Sequence, residues 1–224
     1  MDTLVVTPMQ EELDHFLRAC TRRGFGATAG TLGRLAVSHL PGLGLTLARG
    51  GTGKAQFALQ TQHILDSRPD WERVVCAGAA GALVDDVAIG DVVVATATVE
   101  HDYDSRFNDR SAPSFAGAPA AIESLRRVQT PGAFEVHFAI VASGDEDIVE
   151  PARRNTLHQA TDAWAVAWEG AGGARACAFS RASFVEIRGI TDAADHLAPA
   201  HFEANLAAAM SHVADLMLAW ILGA

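Results

Sequence analysis

Apolar residues along this chain recur in two rhythms. Short, largely β-branched runs read as buried strands: Leu4-Val5-Val6, Arg73 to Ala77, Val92 to Ala95, Phe138 to Ala142, Ala163 to Ala167 and the run beginning Phe184-Val185. Between them, apolar residues spaced three and four apart predict helices. One carries Leu13, Phe16, Leu17 and Cys20, and a second carries Ala55, Ala58, Leu59, Ile64 and Leu65. Others are expected over Ala121 to Val128, residues 150–160 and Ala171 to Ser180. A last amphipathic helix, roughly His201 to Leu222, places Leu206, Met210, Val213, Leu216, Met217 and Trp220 on one side as core or subunit contact. Residues 24–49 are glycine-rich with alternating apolar positions, which predicts antiparallel strands turning at Pro41-Gly42. Strands alternating with helices, plus antiparallel pairs, predict an α/β fold: three layers, α/β/α, around a mixed central sheet. No composition break or internal repeat interrupts residues 1–224, so one domain is expected.

The polar residues gather where strands end. After the first strand, Thr7 can cap a helix with Pro8 in its first turn, followed by Met9, Gln10, Glu11 and Glu12. Glu11 and Glu12 either offset the helix dipole or place one carboxylate in a cleft. Arg49 to Lys54 contains Gly51-Thr52-Gly53-Lys54, whose glycines let backbone N–H groups approach an oxygen-rich ligand or simply form a tight turn. It lacks P-loop spacing, because Lys54 is followed by Ala55. Gly78 to Leu83 is a small-residue run past the second buried strand. Glu100 to Asp104 is dense in ionisable groups, but a polar loop after a strand is the plainer reading than a metal site. Residues 105–119 read as a surface loop, and Arg153, Arg154 and His158 as a solvated helix face. The strand from Phe184 delivers Arg188, Thr191, Asp192 and Asp195 in quick succession. Chemistry in open α/β sheets collects at such carboxyl ends, so Asp192 is an acid, an anchor or a helix cap.

Composition narrows the partners. Hydrophobic residues are 49% and charged residues 20%, and the formal net charge is -10, which argues against nucleic-acid binding while leaving a small nucleoside-like ligand open. Cys20, Cys76 and Cys177 have no metal-ligand spacing, so no zinc site is expected, and their scatter suggests a reducing, cytoplasmic setting. The N-terminus has no signal-peptide pattern and no uninterrupted apolar run reaches about 18 residues, so no membrane association is expected.

Taken in order, several segments resemble the nucleoside phosphorylase/nucleosidase superfamily, and within it the 5'-methylthioadenosine/S-adenosylhomocysteine nucleosidase branch. They are Met9 to Glu12, Gly51 to Lys54, Ala77 to Leu83, Gly90 to Val94, Ser143-Gly144-Asp145, Trp168-Glu169-Gly170, and Arg188 to Asp192 with Asp195. The resemblance implies hydrolysis of the N-glycosidic bond of a purine nucleoside, with no cofactor and no metal. It makes Asp192 the proton donor to the purine, Glu12 the group that orients water, and Arg188 the arginine near that water and its acidic neighbours. Glu169 would hold the ribose hydroxyls and Met9 would pack on the sugar. Phe202 would line the pocket of the 5' substituent, and Thr52, Ala79, Asp147, Ile148 and Trp168 would complete the substrate-binding set. Such an aspartate must keep its proton near neutral pH, which needs burial or a neighbouring carboxylate. Relatives of this kind are commonly homodimers, with a segment such as His101 to Phe107 closing the partner's pocket.

The chain departs from the family pattern at Ala79, where a serine is usual, at Asp147, where an aromatic would stack on the base, and at Ala167-Trp168, which replace a carboxylate and a methionine. Trp168 either takes over a stacking or sugar-packing role or marks a reshaped pocket. Phosphorylase relatives need cationic donors for phosphate, whereas Glu12 is anionic at that place, so hydrolysis is favoured. Phosphorolysis and a non-catalytic nucleoside-binding role are the alternatives.

Overall fold

Strand β1 (Thr3–Thr7) is buried along its whole length, and its side chains alternate between two apolar layers. Val5 packs with one helical layer, and Leu4 and Val6 pack with the other. The same alternation recurs in β5 (Arg73–Ala82), where Val75 and Ala77 face the first layer and Val74 and Cys76 the second. In the computed structural model, which describes residues 2–107, 110–130 and 132–223, this is the outcome of a central sheet covered on both faces.

Helix α1 (Gln10–Arg22) packs on the first face beside the last helix, α6 (Ala198–Leu222), and α2 (Lys54–Ser67) packs with α5 (Gly170–Ser180) on the second. Helix α6 has an 18-residue window of mean hydropathy 1.4, enough by length and composition to cross a bilayer. Its Met210, Val213, Leu216, Met217 and Trp220 are nevertheless buried against α1 and the sheet, which makes it a core helix.

The sheet has ten strands among the described residues. They include β2 (Thr28–Leu32), β3 (Leu35–Leu40), β4 (Leu45–Arg49), β6 (Val92–Glu100), β7 (Ser114–Ala116), β8 (Val136–Ser143), β9 (Ala163–Ala167) and β10 (Phe184–Asp192). The order is β10-β6-β8-β9-β5-β1-β4-β3-β2, with β7 on β6 and a further pairing of β10 with β5. That last pairing closes β5, β10, β6, β8 and β9 into a ring, while β1 to β4 extend from it as an open wing. Strand β5 pairs in parallel with both β1 and β10, so the carboxyl ends of the three emerge together. Strand β9 runs antiparallel to β5 and returns toward the same place. Helices α3 (Pro119–Arg126) and α4 (Pro151–Thr161) complete the chain.

Four expectations need correction. Helix α1 begins at Gln10 rather than at Thr7-Pro8, since Thr7 still belongs to β1 and the Glu12 carboxylate closes the first turn by accepting the Met9 N–H at 2.8 Å. The run from Gly78 to Ala82 is strand, because both neighbours of β5 continue to bond with it. The surface loop over 105–119 contains β7, recruited by the free edge of β6 (residues 108 and 109 of that loop lie outside the described residues). The α4 side chains are not simply solvated: Arg153 forms a paired contact with Glu146, Arg154 donates to the Ala82 carbonyl and Asp85, and His158 bonds the Ala163 carbonyl.

Candidate active site

A cavity of about 460 Å³ opens where β1, β5, β9 and β10 end. Glu12, Glu169 and Asp192 line it, as do Met9, Thr52, Ala79, Asp147, Ile148, Trp168 and Phe202, so ten of the eleven nominated residues share one wall. Arg188 does not: it lies fully buried behind the wall, and its reach into the site goes through the carboxylates it touches.

Glu12 is fixed from two directions. One oxygen accepts the Met9 N–H and the other the Ala79 N–H, each at 2.8 Å. The second donor is backbone, so an alanine at position 79 supplies it as well as a serine would. Burial pushes the Glu12 carboxyl up to about 7, against the pull of those two amides and of Arg188. Glu169 lies two residues past β9 and accepts the Gly53 N–H at 3.2 Å, with Arg188 3.5 Å away. Its carboxyl is likewise raised by burial. Ser143 holds this turn in place, donating to the Trp168 carbonyl at 2.7 Å and accepting the Ala171 N–H at 2.9 Å.

The glycines of the Gly51 to Lys54 turn therefore serve the protein's own acids. Gly51 and Gly53 have φ near +80°, a backbone state that suits glycine. The N–H groups they orient are taken by Glu169 and, at Lys54, by Asp145 at 2.9 Å. The glycines of β5 do the same by being small. A Cβ on Gly78 would lie 2.6 Å from Arg188 Nη1 and 2.8 Å from Glu12 Oε1, and one on Gly81 would lie 2.7 Å from Asp192 Oδ1.

Asp192 ends β10 beside Gly81. Its oxygens accept the Ala194 N–H at 2.9 Å and the Thr191 hydroxyl at 2.8 Å, the former from a residue held at φ 49°. Burial raises its carboxyl above the ordinary range, with nearby Asp195 adding to the rise. Asp195 itself accepts the Leu197 N–H at 2.9 Å ahead of α6, a capping role. Trp168 is half-buried, its indole N–H donating to the Glu146 carbonyl at 3.1 Å. This anchors the ring to the loop that carries Asp147, which is exposed at the rim.

Glu186 was not nominated from the sequence, although it sits two residues before Arg188 on the same strand face. It is fully buried, accepts Arg188 Nε at 2.7 Å and receives the Thr98 hydroxyl. The strict alternation Val185, Glu186, Ile187, Arg188 was the available signal.

The closed mixed sheet between helical layers, with a carboxylate-lined cavity at its strand ends, defines an α/β enzyme that handles a small molecule. Residues 2–221 match the model of the Phosphorylase superfamily, and the chain belongs to it. Among its relatives is a 5'-methylthioadenosine/S-adenosylhomocysteine nucleosidase of Shewanella sp. (strain MR-7), 27% identical over 96% of this chain and 93% of that protein. Another, from Geobacillus sp. (strain WCH70), is 30% identical over 80% of this chain and 81% of the relative. The Neisseria meningitidis nucleosidase of the same name, solved with methylthio-immucillin-A, superposes with a TM-score of 0.85 at 26% identity, covering 99% of this chain and 98% of that one. Futalosine hydrolase of Helicobacter pylori shares the fold with a TM-score of 0.87 at 24% identity, covering 100% and 98%.

Proposed function

We propose that the chain hydrolyses the N-glycosidic bond of a purine nucleoside modified at its 5' position. The observation that carries this reading is the pair of carboxylates flanking β5. Glu12 is held at Ala79 and Asp192 lies over Gly81, so their anchor points on β5 are two residues, roughly 7 Å, apart along the strand. That leaves room for a glycosidic carbon and a water between a base and an acid, the arrangement of an inverting glycosidase.

Asp192, whose carboxyl burial raises above its ordinary range, donates a proton to the departing purine. Glu12, in its charged form, orients and deprotonates the water. Glu169 accepts the ribose hydroxyls, and Met9 and Phe202 pack on the sugar and the 5' substituent. Arg188 holds Glu169 and supports Glu12 from behind. The relatives' names, which specify methylthioadenosine and S-adenosylhomocysteine, support this substrate class. Among the described residues lining the cavity there is no lysine or arginine, which favours water over phosphate as the nucleophile. The exposed Tyr103 and Phe107 suit a homodimer in which this segment meets the partner, and the three buried free cysteines suit a cytoplasmic setting.

The test is release of free base from methylthioadenosine, S-adenosylhomocysteine and unmodified purine nucleosides, with and without phosphate. Phosphate-independent release of base and free sugar is expected. Strict phosphate dependence would assign the chain to the phosphorylases, and tight binding without turnover would assign it a binding role.

A further inference from the structure

Behind the cavity wall, three carboxylates face a single guanidinium. Arg188, on β10, is in contact with Glu186 on its own strand and with Glu169 from the β9–α5 junction, and its charge also acts on Glu12 from α1. From β5 it meets the Ala79 carbonyl at 3.3 Å and the Cys76 sulfur at 3.4 Å. Burial pushes that thiol well above its ordinary range, so it remains a neutral neighbour. The Thr98 hydroxyl of β6 bonds the far oxygen of Glu186. The arginine's best geometry goes to Glu186, at 2.7 Å, rather than to Glu169, at 3.5 Å.

The space for this arrangement is built in. A Cβ on Gly170, the residue after Glu169, would lie 2.2 Å from Glu186 Oε2. A buried acid on a strand face is costly unless it is paired. This one is paired with a cation that two cavity carboxylates also need.

We propose that Glu186 is a positioning residue of the site: engaging Arg188 from behind, it holds that cation back from Glu12 and Glu169 and so governs when Glu12 is free to act as the base. The inference rests on the hydrolase reading for its kinetic consequence, but not for its electrostatic one. Two like charges share one counter-charge, so neutralising one of them favours ionisation of the other.

The sign follows directly. In Glu186→Gln, Arg188 loses its charged partner and is released toward Glu12, so Glu12 ionises at lower pH. The acid limb of kcat/KM against pH moves down by about one pH unit. The alkaline limb, set by Asp192, stays in place, because the groups acting on Asp192 are Thr191, Ala194, Asp195 and His201. Glu186→Asp, which keeps the charge on a shorter arm, shifts the acid limb in the same direction by less. Wild type, both variants and Glu12→Gln would also be labelled with carboxyl-13C glutamate. The resonance missing from Glu12→Gln identifies Glu12, and its titration is then followed in the other three without substrate.

A lowered Glu12 midpoint in the order Gln, Asp, wild type supports the proposal even if no nucleoside is turned over. An unchanged midpoint in a folded Gln or Asp variant overturns it, even if the wild type is an active hydrolase. An acid limb that stays put while kcat falls uniformly would reduce Glu186 to a packing role.

Discussion

The two ends of the cavity are built on different principles. At the Gly78 end, Glu12, Glu169, Arg188 and Glu186 form a network contributed by α1, the β9–α5 junction and β10, and each member is fixed by at least one other or by a backbone amide. At the Gly81 end, Asp192 depends on two donors from its own segment, Thr191 and Ala194, and the facing wall is a loop with an exposed aspartate at position 147. The first end has nowhere to move, whereas the second is locally held and open on one side. Activating water calls for a base of fixed direction, while a leaving purine must be admitted and released, and the two constructions suit these tasks.

The sharpest way to probe the contrast is to neutralise one carboxylate at each end. Asp192→Asn keeps an acceptor for the Ala194 N–H but has no proton of the right acidity to give, so kcat should fall by roughly 10²–10⁴-fold. Glu12→Gln should lose a comparable factor with nucleoside binding largely retained, because Glu169 and the apolar walls are untouched. The Glu12 variant also has a stability readout. Glu12 is uncharged in the fold up to about pH 7 against an ordinary value near 4.5, so its burial favours folding below pH 4.5 and that contribution is lost as pH rises through 7. Thermal melts from pH 5 to pH 8 should therefore decline less in Glu12→Gln than in wild type. Wild-type turnover in either variant would refute its assigned role.

A smaller effect, but a cleaner comparison, comes from the two glycines. Gly78→Ala drives a methyl against Arg188, Glu12 and Pro8 at 2.6, 2.8 and 3.1 Å, with all three fixed. It should cost about 1–3 kcal/mol of stability as well as activity. Gly81→Ala meets a single carboxylate on a two-residue tether, at 2.7 Å, and the Ala194 methyl at 3.3 Å. It should fold nearly as well as wild type, with a lower kcat because Asp192 is displaced. Melting temperature and kcat measured on both variants separate these outcomes. Equal destabilisation would mean that the Gly81 end is as rigid as the other.

The same glycines show how far the residues could be read in advance. Strand and helix positions follow the apolar periods closely, because a sheet covered on both faces leaves a continuous apolar run in each central strand. The cavity residues were legible only as an ordered set of short motifs, since no single spacing among them is diagnostic. What stayed hidden is pairing across the sheet. The ring closure of β10 on β5, which brings Arg188 opposite Gly78, is a contact between residues more than a hundred positions apart. Without such pairings, Gly53, Gly78 and Gly81 look like places for a ligand to approach, whereas they accommodate the protein's own acids. Arg188 for the same reason looked like a cavity residue and is a buried support. Glu186 was passed over because an acid inside an apolar strand acquires meaning only once its partner is placed.

The finest test of the Gly81 end is Asp195. Its carboxylate caps the approach to α6 through the Leu197 N–H and lies close enough to Asp192 to disfavour that group's charged form. Asp195→Asn retains a carbonyl oxygen for the Leu197 N–H and removes only the charge, so the fold should be unaffected. Asp192 then ionises at a slightly lower pH. An acid catalyst works only while protonated, so the alkaline limb of the rate profile should move down by a few tenths of a pH unit, with the acid limb unmoved. It is the counterpart, on the other limb, of the shift expected from Glu186→Gln, which touches the acid limb alone. A double variant should show both displacements at full size, because the two carboxylates act on groups at opposite ends of the cavity with no shared partner. Displacements that fail to add would mean that Glu12 and Asp192 titrate as one coupled pair, and the division of the cavity into two independently built ends would have to be given up.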